Sequence, residues 1–212
     1  MEGSSSDYTY TKADPLYAGE MLDLLNEVWF SLYPVDFHRK YMPYKIFLAT
    51  ALRYGSSAQF KDVRAMNGQI AVSYCSDTLK KMSVGTSLKI NLQQGLWEKW
   101  IDKINFPEEF FALSDYSKAA NTTPSSPDYA RNRGFVANNG NEWSTRVNWP
   151  SRTLNKMDDL KAFLNGMVGR TSEQWKVELE YPLVKKKYDI LRNYLLRTYG
   201  FDIQAIGDMI YE

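Results

Sequence analysis

A single histidine and a single cysteine among 212 residues exclude more chemistry than any motif in the sequence supports. With His38 alone, no histidine cluster can hold a metal, and a cysteine–histidine nucleophilic pair could be built only from Cys75 and His38. The stretch Ser73-Tyr74-Cys75-Ser76 carries no reactive-cysteine signature, and Cys75 has no partner for an internal disulfide. Missing as well are a GxxxxGK[ST] phosphate loop, a GxGxxG turn, a GxSxG elbow and an HExxH helix. No metal, nucleotide or other cofactor is therefore expected. Charge of one sign is also lacking: 26 Lys and Arg face 25 Asp and Glu, so no global field draws the chain to nucleic acid or to an anionic membrane. Long apolar runs are absent too. The longest, Ile46 to Leu52, falls far below the roughly 18 residues of a membrane span. The polar stretch from Glu2 to Lys12 is not a standard secretion signal, so an intracellular or virion location is expected.

Aromatic residues are abundant: 15 Tyr, 10 Phe and 6 Trp, a supply suited to interfaces as well as to a core. Helical signals recur along the chain. Asp14 and Pro15 open a first helix carrying Tyr17, Met21, Leu24, Leu25, Val28 and Leu32. Pro43 and Gly55 frame a second, and Ser56 with Gln59 has the spacing of a capping box for a third, running toward Met82. Residues 86–92 fit strand and helix equally. Further helices are expected over 96–104, from Pro107 and from Met157 to Gly169. The alternation from Trp175 to Tyr181 leaves 175–181 open between strand and the helix that Thr171 and Gln174 would cap. Pro182 to Gly200 reads as a long helix, and Asp202 caps a last short one.

Between Ser114 and Thr153 the helical period disappears, and Asn121 to Pro127 is rich in breakers. Within this arm Phe135 to Val147, turning at Asn139-Gly140, reads as a β-hairpin. The expected fold is thus mainly α: a helical bundle-like domain with a long irregular arm and minor β content. Its divisions are a polar tail at 1–13, a helical region at 14–113, the arm at 114–153, and a second helical region at 154–212 that packs on the first.

No catalytic constellation emerges. Glu108-Glu109 and Asp158-Asp159 are adjacent carboxylates near helix starts, where acids are favoured by the helix dipole. The expectation is a non-enzymatic structural or assembly protein of a multi-copy particle, such as a virus or phage capsid, connector or tail. Tyr129, Phe135, Trp143 and Trp149 would form its subunit interface. Partners would be further copies of the chain or other structural proteins, with no membrane. A nucleic-acid-binding coat is the alternative, using Arg131, Arg133, Arg146 and Arg152 of the arm and the Lys185-Lys186-Lys187 helix. An enzyme of unrecognised type is the third reading.

Overall fold

A computed structural model describes residues 7–81, 84–137 and 155–211. The chain divides into two compact units, one running to Trp100 and including the segment from Ile210, the other spanning Ile101–Met209.

The first unit combines helices with a five-stranded mixed sheet. Its elements are β1 (Tyr8–Lys12), α1 (Ala18–Val28), α2 (Val35–Tyr41), β2 (Lys45–Tyr54), β3 (Gln59–Lys61), β4 (Val63–Met66), β5 (Gln69–Val72), α3 (Thr78–Lys81) and α4 (Gly85–Trp100). This corrects the expectation of a mainly α bundle, because four strands lie from Lys45 to Val72 where helices were expected. The segment is rich in β-branched and aromatic residues, and its glycines mark turns. Gly55 and Gly68 both take positive φ, at 72° and 69°. At Gly68 the two-residue link of the β4–β5 hairpin requires it, and an added Cβ would also lie 2.9 Å from the Tyr44 ring.

Strand β2 is the axis of the sheet. Its C-terminal half pairs antiparallel with β1 on one side and β3 on the other, while its N-terminal half pairs in parallel with β5. The β3–β4 ribbon therefore forks away from β2 at Asp62, and β5 fills the gap. Ser73 sits in the fork. Its buried hydroxyl accepts from Leu52 N at 2.9 Å and donates to Lys61 O at 2.7 Å, and its own amide donates to Asp62 O at 2.8 Å. Backbone groups left unpaired where the strands diverge are thereby satisfied.

The undecided stretch 86–92 is helix, the first half of α4, which buries Leu88, Leu92, Leu96, Trp97 and Trp100. Around it the aromatic excess forms core. Tyr33 and Phe37 stack at 5.1 Å, Phe37 meets Trp100 edge-on at 5.1 Å, and Trp100 Nε1 donates to Tyr41 O at 2.8 Å. Gln93, buried on the same helix face, accepts from the Tyr33 hydroxyl and donates to Val28 O.

The second unit is helical: α5 (Glu108–Ala112), α6 (Lys156–Gly169), α7 (Ser172–Leu179), α8 (Pro182–Tyr199) and α9 (Ile203–Asp208). Thr171 and Gln174 complete a reciprocal capping box, and the undecided stretch is helix as far as Leu179, with Glu180 and Tyr181 beyond its end. Gly200 at φ 78° ends α8, and the Asp202 carboxylate caps α9. Helix α9 lies so close to the end of α6 that a Cβ at Gly207 would fall 2.1 Å from Met167 O.

Residues 114–137 have little regular structure but are folded on themselves. Asn121 and Tyr129 bridge, and the Arg133 guanidinium donates to the carbonyls of Asp115, Lys118 and Ala119. Ala120, Ala130 and Phe135 form a small core with Tyr116. The expected hairpin turn at Asn139-Gly140 and its second strand lie outside the described residues. No helix among the described residues is long and apolar enough to cross a membrane.

Candidate active site

The residues singled out in the sequence do not converge. Tyr129 and Phe135 are buried in the second unit, 3% and 1% exposed, so their own chain covers both rings. Arg131 makes a two-point ion pair with the buried Glu178, at 2.7 and 3.0 Å, and Arg133 is spent on backbone carbonyls. Lys187 is fully buried, whereas Lys185 pairs with Asp189 at 2.6 Å on an exposed helix face that Lys186 shares. Trp143, Arg146, Trp149 and Arg152 lie outside the described residues.

Cys75 and His38 have separate partners. The Cys75 thiol is buried beside Asp14 O, and burial raises its pKa, so it is held as an inert thiol. His38 belongs to α2, where Nε2 donates to Phe30 O at 2.8 Å and the ring packs edge-on against Phe30 and Tyr33. The adjacent carboxylates also divide. Glu108 pairs with Lys156 and Asp158 engages the α6 cap Asn155, while Asp159 is buried against Lys187.

A polar constellation that sequence reasoning missed lies at the fork of the sheet. Asp62, at the β3–β4 junction, is half-buried and accepts three side-chain hydrogen bonds. Tyr74 Oη donates to Oδ1 at 2.5 Å, and Oδ2 receives Asn91 Nδ2 at 2.6 Å and Ser87 Oγ at 3.0 Å. Ser87 and Asn91 are four residues apart on α4 and so share a face, both exposed. Helix and strand are held close here, since a Cβ at Gly95 would sit 3.3 Å from the Ala65 Cβ of β4.

Tyr74 occupies its place at the cost of backbone strain, with φ at 77° in a buried non-glycine residue. Burial, reinforced by the hydrogen bond to Asp62 and its charge, pushes the Tyr74 phenol far above its ordinary range. It remains a donor at any working pH. Ser87 stands in the first turn of α4, where the positive end of the helix dipole favours negative charge. The arrangement is a hydroxyl within reach of a carboxylate that two further donors orient, the general geometry of an activated nucleophile and its base. A partial signal was present in the sequence: Gly85-Thr86-Ser87 begins a GxSxG pattern in which Lys89 replaces the second glycine.

No known family and no curated protein matches the sequence. Among solved structures, the fold resembles that of a proposed zinc-binding metallo-peptidase from Bacteroides caccae. The TM-score is 0.55 at 14% identity, covering 98% of this chain and 80% of that one. At this identity the likeness is one of fold. It overturns the expectation of a non-enzymatic virion or assembly component.

Proposed function

We propose that this chain is a hydrolase-class enzyme that cleaves peptides through acyl transfer to Ser87, with Asp62 as the base. The observation that carries it is the 3.0 Å hydrogen bond from Ser87 Oγ to an Asp62 carboxylate oriented by Tyr74 and Asn91. The fold likeness to a proposed peptidase supports the substrate class. The zinc implied by that likeness does not fit this chain. His38, its one histidine, is engaged by Phe30 O, HExxH is absent, and among the described residues no three His, Cys, Asp or Glu side chains converge.

In the proposed reaction Ser87 Oγ attacks the scissile carbonyl carbon while its proton passes to Asp62 Oδ2. The resulting oxyanion develops near the first turn of α4, where the helix dipole stabilises it. Collapse breaks the C–N bond, and the proton held on Asp62 goes to the departing amine. Water then attacks the acyl-serine, giving its proton to Asp62, and Ser87 leaves with that proton to restore the starting state. Tyr74 and Asn91 hold the carboxylate in line throughout.

The test is hydrolysis of peptide anilides and activated esters. Ser87→Ala and Asp62→Asn should each lower kcat/KM by about 10²–10⁴-fold, and a fluorophosphonate should label Ser87. Phenanthroline should leave the rate unchanged. Rates that survive both substitutions, or labelling elsewhere, would refute the assignment.

A further inference from the structure

Directly before Ser87, the first turn of α4 is occupied by a segment of the chain's own backbone. Thr86 Oγ1 accepts from Tyr211 N at 2.7 Å and donates to Tyr211 O at 2.8 Å, so one hydroxyl reads both main-chain groups of a single residue. Gly85 makes room for this. An added Cβ there would fall 2.3 Å from Tyr211 Cβ, a distance no real side chain tolerates. The Tyr211 phenol then donates to Glu27 O of α1 at 3.0 Å, which fixes the aromatic ring. Ile210 beside it is 65% exposed. The segment is thus seated through the amide, carbonyl and phenol of Tyr211.

Resting on the Ser87 reading, we infer that Gly85 and Thr86 form a main-chain recognition subsite for an extended peptide bearing a tyrosine-like residue. In this structure Ile210–Tyr211 fills it as an internal ligand. The chemistry of the seat specifies the ligand class. A hydroxyl that both accepts from N–H and donates to C=O of one residue matches a peptide unit, and the glycine admits a backbone at van der Waals distance. The Glu27 carbonyl adds a preference for a ring carrying a hydroxyl. Occupation by the chain's own segment sets the apparent affinity, because a substrate binds only the fraction of molecules whose seat is open.

The experiment measures anisotropy of a fluorescein-labelled Met-Ile-Tyr-Glu peptide on the full chain and on a chain ending at Met209. Saturable binding is expected on the shortened chain, at least about ten-fold tighter than on the full chain. It should be lost on Gly85→Ala in the shortened chain, or when alanine replaces tyrosine in the peptide. Absence of binding, equal affinity for both chains, or indifference to Gly85→Ala overturns the inference. A second measurement needs no truncation: Gly85→Ala in the full chain crowds Tyr211 out, and the amide of Tyr211 should then exchange with solvent at least about ten-fold faster. Unchanged exchange also overturns it. Neither readout involves Ser87 reactivity, so failure of Ser87 to label refutes the catalytic assignment alone, and failure of the peptide to bind refutes the subsite alone.

Discussion

Replacing Lys187 by methionine tests the energetics of the second unit most directly. Its ammonium is fully buried and pairs with the equally buried Asp159. Phe110 lies 4.5 Å from Nζ, with Phe163, Phe135 and Tyr116 at 5.1, 5.2 and 5.9 Å, so the cation sits in an aromatic cage. Ser114 Oγ accepts from Nζ at 3.0 Å, and Tyr116 Oη donates to Asp159 Oδ2 at 2.5 Å, but the buried Asp159 Oδ1 has no hydrogen-bond partner among the described residues. Burial is the leading cause at both groups, raising the Asp159 pKa and lowering that of Lys187. Desolvation therefore outweighs their mutual attraction, and two results follow. Lys187→Met strands a buried carboxylate and should lower unfolding free energy by about 3–5 kcal/mol. Adding Asp159→Leu and Tyr116→Phe removes the stranded groups, and stability should return to within about 2 kcal/mol of the parent. Urea unfolding followed by circular dichroism measures both. A single variant within about 1 kcal/mol of the parent, or a triple variant no better than the single, would refute the reasoning.

Four further outcomes are expected. Glu178→Gln leaves the buried Arg131 and Arg170 without their shared anion, and should cost about 3–5 kcal/mol in the same urea assay. Thr171→Ala breaks the capping box of α7 and should cost about 1 kcal/mol. Gly68→Ala places a side chain in a left-handed turn against Tyr44 and should cost about 1–2 kcal/mol, read as a lower thermal midpoint. Burial pushes the Tyr188 phenol up to about 12 from 10.0, so its contribution to stability is present below pH 10 and is lost as pH rises from 10 to 12. Urea midpoints at pH 9, 10 and 11 should fall less steeply for Tyr188→Phe.

The helices of the second unit, apart from α7, which the alternation from Trp175 to Tyr181 leaves open, were legible because their signals are local. Thr171 with Gln174, Pro182 with Gly200, and Asp202 each act within a few residues, and each holds in the structure. The sheet was not legible for the opposite reason. Ile46, Phe47 and Leu52, then Phe60, Val63, Met66, Ile70 and Tyr74, fit a helical period by chance. What decides their state is pairing across the sheet, such as Leu48 with Val72 and Leu52 with Lys61. Asn67-Gly68 carries the same turn signal as Asn139-Gly140, yet it falls inside the stretch that Ser56 and Gln59 would open as a helix. The candidate site was hidden with the sheet. Asp62 and Tyr74 were assigned to one helix, and only the fork brings them to Ser87 and Asn91. The aromatic excess was visible but misleading, since Trp97, Trp100, Tyr129 and Phe135 are each buried within their own unit.

Position 74 makes opposing demands on its residue. Its backbone favours glycine, which would relieve about 1–2 kcal/mol of left-handed strain, whereas Asp62 needs the phenol that only a tyrosine supplies there. Glycine would, however, empty a buried site and lose the packing on Phe60, a cost of about 3–5 kcal/mol that outweighs the strain relieved, so heat selection alone would keep an aromatic ring at this point. Tyr74→Phe separates the two demands, since it keeps the buried ring and removes only the hydroxyl that donates to Asp62.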